Sequence, residues 1–309
     1  MRQVTLLGPL DGVDLGAEVA AFGVDGPVAL VTAGWEEGER NDADVDRRLG
    51  GGSRNLNLYG RRLDVLESDP DYADAERLLR TQLDELRDLY LLRLRHALAG
   101  VEVIRRRFAG EERRPGPELD GAIDAVRTLD ETHATAIASA YERFYTQNPP
   151  HSRPSIGRHR EEVADIVAGC AAIAIAGGHV GVLNDCLHLC NLAALVEERP
   201  LLAWSSGCMA VTERIVVIDD DDPAGRPDEI YDIGIGVARG MVALPAAMPR
   251  LHAHDPDRLA LLARRCAPSI CVLLDAGDRL ELQSGSPADL GMVGVVAEDG
   301  QVLRGAHAA

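Results

Sequence analysis

Leu201-Leu202-Ala203-Trp204-Ser205-Ser206-Gly207 joins a run of apolar residues to a cluster of small ones. The apolar run reads as a short buried strand, and residues 208–213 read as a helix. The small-x-Ser-x-Gly pattern between them is that of a nucleophile elbow. Such a turn is tight, so its flanks need little bulk, which Ala203, Ser206 and Gly207 provide. A serine on this corner exposes its hydroxyl at the carboxyl edge of the sheet. The Ser206 amide, opening the helix, would face a developing oxyanion. Solvent-exposed turns share this composition, so the surrounding chain has to decide between the two.

Upstream, strand-like runs at 4–7, 28–32 and 55–59 are separated by turn-rich or helical pieces, as in parallel βαβ units. Over 72–108 the texture changes. Leu79, Leu83, Leu86, Tyr90, Leu94 and Leu98 recur every three or four residues, the mark of one long amphipathic helix. Pro115-Gly116-Pro117 interrupts it, and a second helix over 119–145 ends before Pro149-Pro150. Together they predict a helical hairpin over 70–147, inserted into an α/β fold. The α/β texture then resumes with a helix at 161–169, a strand at 171–176, the loop Gly177-Gly178-His179 and a helix through 195. Later strands are expected at 214–218, 270–274, 279–283 and 292–296, the last three hairpin-connected at one sheet edge. The expected architecture is one α/β domain over 1–309, with a mostly parallel sheet sandwiched by helices and the hairpin as an insertion.

Composition narrows the function. The 309 residues are 46% hydrophobic but only 4% aromatic, so the core is built from Ala, Leu, Val and Ile. A net charge of −18 argues against a nucleic-acid or anionic-membrane partner, since both need clustered positive charge. Arginines are interleaved with acids, as in Glu111-Glu112-Arg113-Arg114, and read as solvated faces. There is no lysine, which excludes Schiff-base enzymes, Walker-type phosphate loops and Ser–Lys dyads. Six cysteines show neither a CxxC pair nor disulfide-scaffold spacing. No charged leader with a long apolar segment opens the sequence, and no run approaches 18 apolar residues. A cytoplasmic protein is expected.

The ordered series of Gly177-Gly178 after a strand, Trp204-Ser205-Ser206-Gly207, Gly234-Ile235-Gly236 and Leu273-Leu274-Asp275 resembles the peptidase E and cyanophycinase family. These are serine peptidases on the class I glutamine-amidotransferase-like, flavodoxin-like fold. The similarity covers about residues 1–65 and 160–300 and leaves the hairpin unexplained. It implies Ser205 as nucleophile, the amides of Gly178 and Ser206 as oxyanion hole, and an acid within 219–222, with Asp220 central. A solvated turn is the alternative reading of that acidic run. The family's histidine position falls near Ala246. His252 and His254 follow six and eight residues later, and His179 stands beside the oxyanion loop. His252 is the leading candidate for the base, with His179, His254 or no base at all as the alternatives.

Other constellations are weaker. Cys186 and Cys190 share a helical face while His188 points away, so convergent zinc ligation is not expected. Cys208 lies beyond the corner, inside the following helix. Asp275 reads as a turn residue. Trp35 and Glu36 follow the second strand, on the edge where open α/β sheets bind ligands, and with His179 are candidate substrate contacts. The expectation is a serine hydrolase needing no cofactor or metal, a peptidase or amidase acting on a small peptide-like substrate. Its alternative is a catalytically weak or inactive binding protein that works through the helical insertion. A homodimer is expected, with Leu83, Leu86 and Tyr90 near its contact.

Overall fold

The computed structural model describes residues 3–108, 116–197, 199–218, 227–251, 255–287, 289–291 and 293–305. Five strands run parallel: β1 (Gln3–Leu7), β2 (Val28–Val31), β3 (Arg54–Asn55), β4 (Ala172–Ile175) and β5 (Leu201–Trp204). A hairpin follows, β6 (Ile215–Val217) with β7 (Glu229–Asp232), and then the parallel pair β8 (Met241–Pro245) and β9 (Ile270–Leu274). Strands β10 (Arg279–Gln283), β11 (Ser286–Pro287), β12 (Gly294–Val296) and β13 (Val302–Leu303) complete the set.

Two larger sheets result. One has the order β11-β10-β1-β5-β4-β2-β3, the other β13-β12-β9-β8. The inner strands VALV, AIAI and LLAW are buried at every position, as unbroken apolar runs covered on both faces must be. By contrast β10, RLELQ, alternates exposed and buried residues and pairs antiparallel with β1. The expected grouping of 270–274, 279–283 and 292–296 at one edge is therefore corrected. β9 and β12 belong to the second sheet, while β10 crosses to the first. The expected strand at 55–59 is also corrected. Only Arg54–Asn55 pair with β2, and a left-handed Asn57 (φ 49°) starts a helix.

The helices are α1 (Leu15–Ala20), α2 (Ala43–Arg48), α3 (Leu58–Ser68), α4 (Pro70–Arg107), α5 (Pro117–Gln147), α6 (Pro154–Ala168), α7 (Val180–Leu189), α8 (Leu192–Val196), α9 (Ser206–Ala210), α10 (Ala247–Arg250) and α11 (Pro256–Cys266). Among the described residues none is long and apolar enough to cross a membrane.

The long insertion is α4 and α5. Asp69 caps α4 by accepting from the Tyr72 N–H at 3.0 Å, and Pro70 occupies the first turn, where its missing N–H costs nothing. Arg105, Arg106 and Arg107 close the helix against its negative end. At 38 residues α4 spans roughly 57 Å. Its Leu79, Leu94 and Val101 are buried together with Ile123, Val126 and Ile137 of α5. Where the hairpin leaves and rejoins the chain, Arg153 meets both Asp69 carboxylate oxygens at 2.8 Å.

The insertion is also bonded to the rest of the fold. The Arg265 guanidinium of α11 reaches both oxygens of Asp130 of α5 at 2.8 and 3.0 Å, and all the atoms involved are buried. The Tyr90 hydroxyl donates to Asp130 at 2.7 Å and accepts from the Ile230 N–H of β7 at 3.2 Å. Arg87 pairs with Glu229, and Arg80 with Asp185 of α7. Tyr90 is buried within one chain, and Leu83 and Leu86 pack half-buried against the apolar cluster of α3, α4 and α5.

Candidate functional site

The site grows from the carboxyl ends of β1, β2, β4 and β5. Chain order reverses between β2, which leads outward to β3, and β4, which leads back toward β1 through β5. Open α/β sheets form a ligand crevice at such a reversal.

Ser205 stands at the end of β5 with φ 51° and ψ −132°. A side chain rarely adopts this conformation, which costs on the order of 1–3 kcal/mol. Packing over-determines it. The Ser205 N–H donates to Leu7 O at 3.2 Å. A Cβ on Gly177 would stand 2.8 Å from Ser205 Cβ, and one on Gly207 would stand 2.6 Å from Ile175 O. Only glycine fits at both places, so the small residues around the serine are required by close approach.

The Gly177-Gly178 loop is held between this corner and the end of β2. The His179 N–H donates to Gly34 O at 2.7 Å, and Gly178 has φ 134°. The Ser206 hydroxyl accepts from the Gly178 N–H and donates to Gly178 O, both at 2.7 Å. The two amides expected to form the oxyanion hole therefore differ. The Ser206 N–H has no partner among the described residues, whereas the Gly178 N–H is already occupied by Ser206.

His179 is exposed and caps α7, its Nδ1 accepting from the Val182 N–H at 3.2 Å. With that lone pair engaged, the neutral ring carries its proton on Nε2 and acts as a donor. Its Nε2 is then the ring nitrogen left to face the crevice. His252, His254, Asp220 and the rest of 219–222 lie outside the described residues, as does 111–114.

Trp35 and Glu36 follow Gly34 in a 3-10 segment, with Trp35 packed against the cluster beneath β5. Glu36 has φ 55° and ψ −124°, nearly the backbone of Ser205. Glu36 and Ser205 thus share one strained region, each following a strand on the same edge. Glu37 accepts from the Tyr59 hydroxyl at 3.0 Å.

Two contributors carried no strong sequence signal. Asp275, at the end of β9, packs its backbone on Gly8, where a Cβ would come within 1.8 Å of Asp275 O. Its Oδ1 accepts from the Met248 N–H at 2.9 Å, while its Oδ2 is buried without a partner. Tyr231 lies on β7 beneath Arg87, 5.0 Å from the guanidinium carbon to the ring centroid. A Cβ on Gly181 would lie 2.5 Å from its hydroxyl oxygen and 3.2 Å from His179 Cε1. Through Tyr231 the insertion thus reaches the His179 end of the site. Strand-end position was the only cue for Asp275. For Tyr231 the strand-favouring pair Ile230-Tyr231 between two acids was the only cue.

The cysteines are core residues. Cys208 donates to Leu7 O at 3.2 Å and to Ala203 O at 3.3 Å, and burial pushes its thiol up to about 12. Burial likewise raises Cys190 to about 12. His188 stacks on Tyr141, with Nε2 3.3 Å from Ile233 O. Among the described residues no group of three acidic, Cys or His side chains could hold a metal ion.

A solved structure described as a peptidase from an acI-B1 Actinobacterium is similar to this chain at 13% identity, covering 96% of this chain and 87% of its own, with a TM-score of 0.42. No family model and no curated protein matches the chain.

Proposed function

We propose that the protein is a serine hydrolase, a peptidase or amidase acting on a small peptide-like substrate. The observation that carries this reading is the backbone of Ser205, a non-glycine residue at φ 51° and ψ −132° on a strand-to-helix corner. Strain at that point serves to aim a side chain. The serine oxygen attacks the substrate carbonyl as a histidine takes its proton, and the Ser206 N–H stabilises the resulting oxyanion. The proton then passes to the leaving amine, and water releases the acyl group by the reverse route. His252 is the proposed base. Asp220 is the acid the resemblance implies, and Asp275 offers an unpartnered carboxylate oxygen on the same edge. His179, Trp35 and Glu36 are proposed to contact substrate.

One observation favours the non-catalytic alternative. Ala246, in the left-handed region at φ 51° and ψ 43°, stands where the resemblance implies a histidine. A serine without a base is a poor nucleophile, and the scaffold would then serve binding. Labelling with a fluorophosphonate separates the two readings. The hydrolase reading expects a covalent adduct on Ser205 that is lost in Ser205→Ala. No adduct on the intact protein selects the binder. An adduct that persists or moves to Ser206 shows that the nucleophile has been misplaced.

A further inference from the structure

We infer that the outer face of α4 pairs with the same face of a second copy of this chain, antiparallel and across a two-fold axis near Tyr90 and Leu91. Leu78, Leu89, Leu92 and Val103 are 72%, 62%, 53% and 67% exposed. At 3.6 residues per turn the four fall within about 60° of one another. They form one stripe on the side of the helix turned away from α5. The buried residues of α4, among them Leu79, Tyr90 and Leu94, lie on the other side.

The charges beside the stripe specify the occupant. Glu85 and Asp88 precede the midpoint, Arg93 and Arg95 follow it, and none of the four makes an ion pair among the described residues. Two charges have the opposite sign for their half, Arg77 and Glu102. Each is neutralised within the helix, by Asp74 at 2.7 Å and by Arg106 at 2.5 Å. An antiparallel second copy therefore sets acid against base along the whole contact, whereas a parallel copy would oppose like charges.

The apolar positions obey the same symmetry. Leu89 and Leu92 lie equally far from the midpoint, and so do Leu78 and Val103. A two-fold operation therefore brings Leu89 against the partner subunit's Leu92, and Leu78 against the partner subunit's Val103. Asp88 then flanks the partner subunit's Arg95 on one side of the seam. Such self-complementarity is what an isologous interface requires, and the apolar pairs span about 37 Å of helix. An unrelated partner would have no reason to match a charge pattern that inverts about its own centre.

Analytical ultracentrifugation of the full chain tests the inference, with far-UV melting as the control for folding. The expected result is a concentration-dependent dimer. The pair Leu89→Glu and Leu92→Glu should weaken it by roughly 100-fold without moving the melt, because both side chains are on the surface. Asp88→Arg alone and Arg95→Asp alone should each weaken it by roughly 10-fold, and the two together should restore it, since both copies exchange charge at once. A wild-type monomer at about 50 μM, well above an ordinary micromolar affinity, overturns the inference. So does a dimer indifferent to the leucine pair, or a charge swap without rescue.

Discussion

Arg265 of α11 holds both carboxylate oxygens of Asp130 of α5, at 2.8 and 3.0 Å, where neither side chain meets solvent. The pair joins the inserted hairpin to the second sheet, and Tyr90 and the Asp228 carbonyl complete its hydrogen bonds. Burying two charges is offset only when the geometry and the surrounding donors are this complete.

Asp130→Ala leaves a buried guanidinium uncompensated and should cost about 3–5 kcal/mol in chemical unfolding. Removing both charges, with Asp130→Leu and Arg265→Met, should cost distinctly less. Equal losses from the single and double variants would show that the two residues do not act as a unit.

His133 should make the protein acid-sensitive. It stacks on Tyr90 with ring centroids 3.9 Å apart, its Nε2 lacks a partner, and burial holds its pKa down from 6.5 to about 4. The unfolded chain therefore binds a proton below pH 6.5 that the folded chain refuses. The stabilisation is complete above 6.5 and is lost as pH falls toward 4, by about 3 kcal/mol over the window. His133→Phe should flatten this part of the profile in urea titrations from pH 7 to 4. An unchanged slope would place the acid sensitivity elsewhere.

Gly177→Ala should disturb the corner. Its Cβ would meet Ser205 Cβ at 2.8 Å and Ser206 N at 3.0 Å, and overpacking of this kind costs about 1–3 kcal/mol. Fluorophosphonate labelling should fall with it. Gly157→Ala is the control. That residue lies within α6 with nothing within 4 Å, so the change should stabilise by up to about 1 kcal/mol and leave labelling intact.

Ser206→Ala removes the acceptor that occupies the Gly178 N–H at 2.7 Å. The freed amide can then join the Ser206 N–H, so labelling of Ser205 should proceed at least as fast as in the wild type. A fall of about a hundredfold or more, the scale on which catalytic hydrogen bonds act, would mean that the Ser206 hydroxyl itself positions the site.

The elbow was legible because close approach demands small residues, and these are visible in Ala203, Ser206 and Gly207. The hairpin was legible because a 3.6-residue period sustained over ten turns has no competing explanation; 72–108 and 119–145 became Pro70–Arg107 and Pro117–Gln147. β8 was not foreseen, because MVALP is a short apolar run with no period of its own. The polar environment was equally hidden. Nothing local marks Ser206 as the partner of Gly178, or Asp130 as the partner of Arg265, since each pair is made across distant parts of the chain. Which face of α4 meets solvent was hidden for a related reason. Leu83 and Leu89 look alike in sequence, and only the position of α5 and the parent domain separates them.

Arg153 and Asp69, in contact at 2.8 Å, fix the hairpin's two ends side by side. In engineering terms the insertion is a cassette. A short linker from 69 to 153 would close the chain without stretching the α/β layers, and a foreign helical pair could be grafted on the same stem. Excision alone would strand Arg265, so a clean deletion has to replace that arginine with an apolar residue in the same step.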